Sequence, residues 1–412
     1  MSKATFESLL EKYAELIVKV GVNVQPDQEV VIGASIEVAP LARLVASKAY
    51  EAGASNVHVD WSDDALARMK YEKAADEVFE NYPEWEKLKR DSQVEKRAAF
   101  IAIVSQNPDN LKGIDPKRIA TFQKAAGKAL ENYRQHVQSD KVSWTVVAAA
   151  SQDWAKKVFP DATADEAVEK LWEAIFNSVR LQAEDPIQAW TEHNANLHKK
   201  VDVLNHYHFE KLHYTAPGTD LTIALPKKHL WVGAGSTNEK EVPFMANMPT
   251  EEVFTVPQRD GVDGYVSSTK PLSYGGNLIN NFKLTFENGR IVKAEAEEGL
   301  EVLEHLIDSD EGSHYLGEVA LVPHQSPISE SNILFYNTLF DENASNHLAI
   351  GSGYAFNVEG GKKMTRDELA ENGVNSSITH VDFMIGSSEM NIDGIQADGT
   401  VVPVFRNGNW AI

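Results

Sequence analysis

The chain has 412 residues, of which 42% are hydrophobic and 9% aromatic, so it can bury a sizeable core; at about 150 residues per domain, two or three domains are expected. Thirty-nine Lys and Arg against 61 Asp and Glu leave a net charge of −22, which argues against a nucleic-acid partner and against an anionic membrane surface. There is no cysteine, which excludes disulfides, thiolate zinc sites, iron–sulfur clusters and cysteine nucleophiles, and leaves His and oxygen ligands for any metal.

Phe6, Leu9, Leu10, Tyr13, Leu16, Ile17 and Val20 recur at helical spacing among Glu7, Ser8, Glu11, Lys12 and Glu15, a pattern that predicts an amphipathic helix and not a signal peptide. The longest apolar runs, such as Val146-Val147-Ala148-Ala149-Ala150, are too short to span a bilayer, so a cytoplasmic protein is expected. Strand signals at Glu29–Gly33, Val57–Trp61, Ala98–Val104 and Val142–Ala150 alternate with helical stretches near 40–52 and 115–138. Such alternation predicts a doubly wound, mostly parallel α/β sheet. Helices are expected at Gln152–Phe159 and Thr163–Gln182, the second opening on a capping box of Thr163 and Glu166. The boundary falls near 185–205, giving domains of 1–195 and 196–412.

The second part reads as α+β, mainly antiparallel β. Asn288-Gly289 sits between Leu284–Glu287 and Arg290–Val292 as a two-residue hairpin turn, and Leu300–Leu306 is a helix. Asp393-Gly394, Asp398-Gly399 and Asn407-Gly408 are expected to separate further short strands. Gly233-Ala234-Gly235-Ser236-Thr237 lacks a Gly-Lys-Ser/Thr ending and reads as an ordinary loop. Val31-Ile32-Gly33 is followed by Ala34-Ser35-Ile36, not by a dinucleotide fingerprint.

Ligand-type residues concentrate between 251 and 382. Along the strand Ser377–Ile385, His380 and Asp382 share one face and can grip one metal or two adjacent ones; a solvent-facing polar pair is the plainer account. Asn343 or Asp341 can cap a short helix that would set His347 about one turn beyond Glu342; a surface His near a helix end is the alternative. Glu318 lies in the apolar run Gly317–Pro323, where a carboxylate is costly unless it is paired, points outward or binds metal. Glu251 and Glu252 must point to opposite faces if their segment is extended, so one can be a ligand while the other is solvated or acts as an acid or base. Gly351 and Gly353 present Tyr354 on a turn. Several carboxylates with two imidazoles suit a pair of zinc, cobalt, manganese or magnesium ions, and two ions about 3.5–4 Å apart can share and activate a water.

Four motifs stand in sequence: Met248-Pro249-Thr250-Glu251-Glu252-Val253-Phe254, Gly317-Glu318-Val319-Ala320-Leu321-Val322, Leu339-Phe340-Asp341-Glu342-Asn343-Ala344 with His347, and Thr379-His380-Val381-Asp382-Phe383-Met384-Ile385-Gly386. With these motifs, and with a start that runs from Met1 through Phe6-Glu7 to Tyr13-Ala14, the whole chain resembles the M29 family of metal-dependent aminopeptidases, the aminopeptidase T, PepS and AmpS group. The resemblance implies metal ligands at Glu252, Glu318, His347, His380 and Asp382, an active-site tyrosine at Tyr354 and a further ligand at Glu342. The choice of Glu252 over Glu251 rests on the family spacing. The resemblance also implies an N-terminal α/β domain, a C-terminal catalytic domain, a homodimer, and release of N-terminal amino acids from peptides with a free N-terminus through two divalent ions and an activated water. Glu251 is a candidate general base as the neighbour of a ligand. Two alternatives stay open: another dinuclear hydrolase acting on phosphoesters or non-peptide amides, and a non-catalytic scaffold of the same fold.

Overall fold

The computed structural model describes residues 3–275 and 277–412; Met1 and Ser2, where the start motif opens, and Gly276 lie outside the described residues. Two compact units emerge, Met1–Glu192 with Gly235–Pro249, and His193–Ala234 with Thr250–Ile412. They differ from a 1–195 and 196–412 partition chiefly in that Gly235–Pro249 groups with the first. The region in which the boundary is expected is largely helical, within the 22-residue helix Pro186–Tyr207.

In the first unit, apolar runs make four parallel strands: β1 (Glu29–Ser35), β2 (Asn56–Ser62), β3 (Ala99–Val104) and β4 (Trp144–Ala148). Their order is β4-β3-β1-β2, with Asn247–Met248 pairing in parallel on the outer side of β4. The chain steps from β1 to β2 on one side and returns to β3 on the other. Right-handed crossovers then put helices on both faces, which is the doubly wound α/β arrangement. The opening helix, Lys3–Leu16, buries Leu9, Leu10 and Tyr13, and the Tyr13 hydroxyl donates to the Ala148 carbonyl at 3.0 Å. Helix Ala164–Ser178 starts on the expected capping box, with Thr163 and Glu166 satisfying each other's backbone N–H.

Three helices between β2 and β3, at Asp64–Lys73, Glu77–Glu80 and Glu84–Glu95, had no counterpart in the periodicity. The first of them buries no side chain, so it carries no apolar stripe to read. The helical stretch at 115–138 is broken at Leu130 into Pro116–Ala129 and Glu131–Gln138.

The second unit is antiparallel, as expected. Its large sheet has nine strands, and its longest hairpin, Asn277–Glu287 with Arg290–Glu298, turns on Asn288-Gly289, both at positive φ. Asp393-Gly394 is not a turn: it lies within the strand Asn391–Ile395. A Cβ on Gly394 would come within 2.5 Å of the Phe209 ring, so this glycine serves close packing. A second, five-stranded sheet consists of β5 (Val232–Gly233), β6 (Val253–Thr255), β7 (Leu316–Leu321), β8 (His347–Gly351) and β9 (His380–Met384). The order is β9-β8-β7-β6-β5, antiparallel throughout. The glycine-rich stretch read as a loop thus supplies β5 and, at Ser236–Thr237, a short strand paired with Pro243–Phe244. Val253, Val319, Leu321, Leu348, Ile350 and Phe383 turn one face of the small sheet into the unit's hydrophobic core. Among the described residues no helix is long and apolar enough to cross a membrane.

Candidate metal centre

The opposite face of the small sheet carries the polar residues. Directly paired residues share a face, and side chains alternate along each strand. Ala349 pairs with Glu318 on one side and Asp382 on the other; His347 pairs with Ala320 and Met384; Gly351 pairs with His380. Glu318, His347, His380 and Asp382 therefore project together, while Ala320, Ala349 and Gly351 between them leave room. Gly351 is required for a second reason: its φ is 113°, and a Cβ there would lie 2.2 Å from the Thr379 carbonyl oxygen.

His347 reaches this face differently from the sequence expectation. Glu342–Ala344 is a single 3-10 turn, the backbone extends at Ser345, and His347 opens a strand instead of following Glu342 on a helix. Asn343 holds the turn against the first motif. Its side-chain oxygen accepts the Glu251 N–H at 2.8 Å and its nitrogen donates to the Leu339 carbonyl at 3.0 Å.

Two ligand groups result, Glu252–Glu318–His347 and Glu318–His380–Asp382, with Glu318 in both. His347 Nε2 lies 3.2 Å from Glu252 Oε2 and 3.4 Å from Glu318 Oε1. His380 Nε2 lies 3.5 Å from Glu318 Oε2 and 3.4 Å from Asp382 Oδ1. Glu252 Oε2 and Asp382 Oδ1 are buried and accept no hydrogen bond of good geometry. Each imidazole turns its other nitrogen to a backbone carbonyl: His347 Nδ1 donates to Ser345 at 3.0 Å and His380 Nδ1 to Ser352 at 2.7 Å. A carbonyl can only accept, so Nδ1 carries the proton and Nε2 of a neutral ring points a lone pair at carboxylate oxygens. That contact is repulsive unless a cation lies between them, and it is the orientation expected of metal-ligating histidines.

With no cation counted, the charge of the carboxylates falls on the imidazoles and drives both toward the protonated form. Burial raises the Glu318 pKa, opposed by the His347 hydrogen bond and reinforced by the charges of Asp382 and Glu252. Burial, then the charges of Glu252 and Asp382, push Glu342 well above the ordinary carboxyl range. Burial alone would lower both imidazoles, yet Glu252 and Glu318 drive His347 well upward, and Asp382 and Glu318 bring His380 to about 9. Burial would raise Asp382, but the closeness and charge of His380, then the charge of His347, leave it lowered. Four carboxylates thus face two imidazoles, and among the described residues no Lys or Arg pairs with Glu252, Glu318, Glu342 or Asp382. Two divalent cations would balance that charge, and mixed carboxylate and imidazole ligation suits borderline ions. The residues fit a metal centre.

The remaining candidates divide. Tyr354 sits in the site, its ring 4.7 Å from that of His380. Burial, followed by the charges of Glu318, Asp382, Glu342 and Glu252, pushes its phenol upward and keeps it protonated. Glu342 lies beside the two ligand groups but belongs to neither. The Glu251 carboxylate lies 3.6 Å from His193 Nε2. His193 also donates to the Thr250 carbonyl at 2.7 Å. His193, Ser345 and Ser352 went unread in the sequence. The two serines act through main-chain carbonyls and leave no side-chain signal, and His193 lies far from the motifs along the chain.

The family model described as thermophilic metalloprotease (M29) matches residues 6–410. The chain is 66% identical over 407 residues to aminopeptidase AmpS of Bacillus subtilis (strain 168), covering 99% of each protein. It is 50% identical over 406 residues to aminopeptidase 2 of Geobacillus stearothermophilus, covering 98% of each. The solved structure of wild-type AmpT from Thermus thermophilus superposes with a TM-score of 0.93 at 41% identity, over 99% of this chain and 100% of that one. On these matches and on the ligand face just described, the chain belongs to the M29 family of metalloproteases and is a metalloexopeptidase.

Proposed function

We propose that this exopeptidase is an aminopeptidase: it releases the N-terminal residue of peptides bearing a free α-amine, at a site of two divalent ions drawn from zinc, cobalt, manganese and magnesium. The observation that carries the reading is the pair of ligand groups sharing Glu318, each with an imidazole Nε2 aimed at carboxylates. Ions bound there supply Lewis-acid polarisation of the scissile carbonyl and lower the pKa of water toward about 7. Glu252 and His347 would hold one ion and His380 and Asp382 the other, with Glu318 within reach of either group. Glu342 adds negative charge beside them. Tyr354, held protonated, donates a hydrogen bond to the oxyanion that develops on the substrate carbonyl. Glu251 is the group we assign to take up the nucleophile's proton; it is buried, and His193 stands 3.6 Å from its carboxylate. A cytoplasmic homodimer belongs to the same reading, and its mass in solution checks the second half of it.

The test is hydrolysis of leucine p-nitroanilide by protein stripped with a chelator and resupplied with each ion, with N-acetyl-leucine p-nitroanilide alongside. Activity lost on stripping, restored by a metal and confined to the unblocked compound is the expected result. Equal cleavage of the acetylated compound would replace the aminopeptidase with another dinuclear hydrolase. Metal bound without turnover of any peptide or anilide would leave a scaffold.

A further inference from the structure

The ligand face of the small sheet does not end at the ligands. Phe254 pairs with Ala320 on one side and Val232 on the other, so Phe254 and Val232 continue that face toward the β5 edge. Above them, Phe356 closes on Phe254 with ring centroids 6.0 Å apart and stacks on Tyr354 at 5.1 Å, the planes only 9° apart. Phe254 meets Tyr354 edge-on at 6.3 Å. The turn bearing Phe356 is pinned where it stands: buried Asn357 donates to the Phe254 carbonyl at 3.1 Å, and its own carbonyl accepts the Leu230 N–H at 2.7 Å.

Rings that serve only to support Tyr354 would be sealed, as Phe209, Phe282, Phe286, Phe335 and Phe340 are at under 2% exposure. Phe254, Phe356 and Val232 are instead half-buried. They form an apolar wall that begins at the tyrosine beside His380 and leads away from the carboxylates. A substrate held by its α-amine and scissile carbonyl at the ligand groups places its first side chain close to those atoms, and the wall starts beside them: the Tyr354 ring lies 4.7 Å from that of His380, and the Phe356 and Phe254 rings follow Tyr354 at 5.1 and 6.3 Å.

Resting on the aminopeptidase reading, we propose that Phe254, Phe356 and Val232 form the subsite for the side chain of the substrate's N-terminal residue, and that this subsite selects large apolar side chains, aromatic ones included. Small side chains leave the wall in water, and acidic ones bring a charge against apolar surface beside a cluster of carboxylates.

The test compares kcat/KM for phenylalanine, leucine and alanine p-nitroanilides in metal-supplied wild-type protein and in Phe254→Ala, Phe356→Ala and Val232→Phe. The wild type is expected to favour phenylalanine and leucine over alanine. Each alanine variant should lower the phenylalanine-to-alanine ratio by at least about 10-fold, the scale at which a hydrophobic pocket discriminates. Val232→Phe, which fills the subsite from the edge strand, should move the preference toward alanine. A wild type that prefers alanine, or variants in which both rates fall equally and the ratio holds, would overturn the inference and leave the aminopeptidase reading intact; the second result would reduce the rings to supports for Tyr354. Hydrolysis of none of the three anilides by wild-type protein would overturn that reading and the inference with it.

Discussion

A phenol and a carboxylate in one site are separated by what each substitution leaves bound. Tyr354→Phe removes one hydrogen-bond donor and no ligand, so kcat should fall by about 100- to 1,000-fold, roughly 2.7–4 kcal/mol of barrier, while elemental analysis still finds the wild-type metal content. A variant that loses its metal would make Tyr354 a ligand instead. Because Glu318 stands in both ligand groups and Asp382 in one, Glu318→Gln should empty the centre on dialysis, whereas Asp382→Asn should retain close to half the metal. Equal loss in the two variants would contradict the shared role of Glu318. Of the residues behind these predictions, Glu318 in its apolar run and the alternating His380 and Asp382 drew notice in the sequence itself, whereas the ligand set as a whole and the part given to Tyr354 came from the family resemblance. Which oxygen meets which nitrogen was not legible in the sequence, since Ser345 and Ser352 fix the imidazoles through their backbones.

At the scale of the element, the small sheet works as a partition with two incompatible faces. Its apolar side is continuous with the core, and its polar side has room for the ligands because Ala320, Ala349 and Gly351 put nothing larger than a methyl group between them. Ala349 lies in register between Glu318 and Asp382 and is fully buried. Ala349→Leu should therefore weaken metal binding in a titration by more than it weakens the fold, where overpacking costs about 1–3 kcal/mol. A variant with wild-type metal affinity would show that the alanine is not a spacer. Period-2 alternation made Glu318, His380 and Asp382 readable on their strands. The helix-cap reading misled at His347, where the acidic and Asn-rich run from Asp341 resembles a helix start yet closes after a 3-10 turn and feeds a strand. The charged helices after β2 were invisible for the opposite reason, as Asp64–Lys73 buries no side chain.

For the whole molecule, the buried titratable groups set how stability follows pH. His229 is 1% exposed, donates from Nδ1 to the Pro226 carbonyl at 2.8 Å and stacks on His208 at 4.5 Å. Burial lowers its pKa from 6.5 to about 4. The unfolded chain takes up this proton before the native one does, so the neutral ring carries no penalty above pH 6.5, and stability falls as pH drops from there toward 4. The loss amounts to about 3 kcal/mol over that window. Urea unfolding of His229→Gln at several pH values should show a correspondingly flatter decline than wild type; parallel curves would refute the assignment. Metal adds to stability from the other direction: at 100 times its Kd a bound ion contributes about 2.7 kcal/mol, so chelator treatment should lower the Tm, and resupply should restore it.

The two units are also interleaved along the chain. The outermost partner of β4, Asn247–Met248, is encoded about a hundred residues after β4 itself. At a synthesis rate of roughly 5–20 residues per second, the ribosome finishes β4 some 5–20 s before that partner exists. Through this interval the nascent sheet exposes an unpaired, apolar edge, the kind of surface that templates intermolecular pairing. A nascent chain of this protein is therefore expected to be a chaperone client through a definite window of its synthesis, opening once Ala148 leaves the exit tunnel and closing when Met248 follows it.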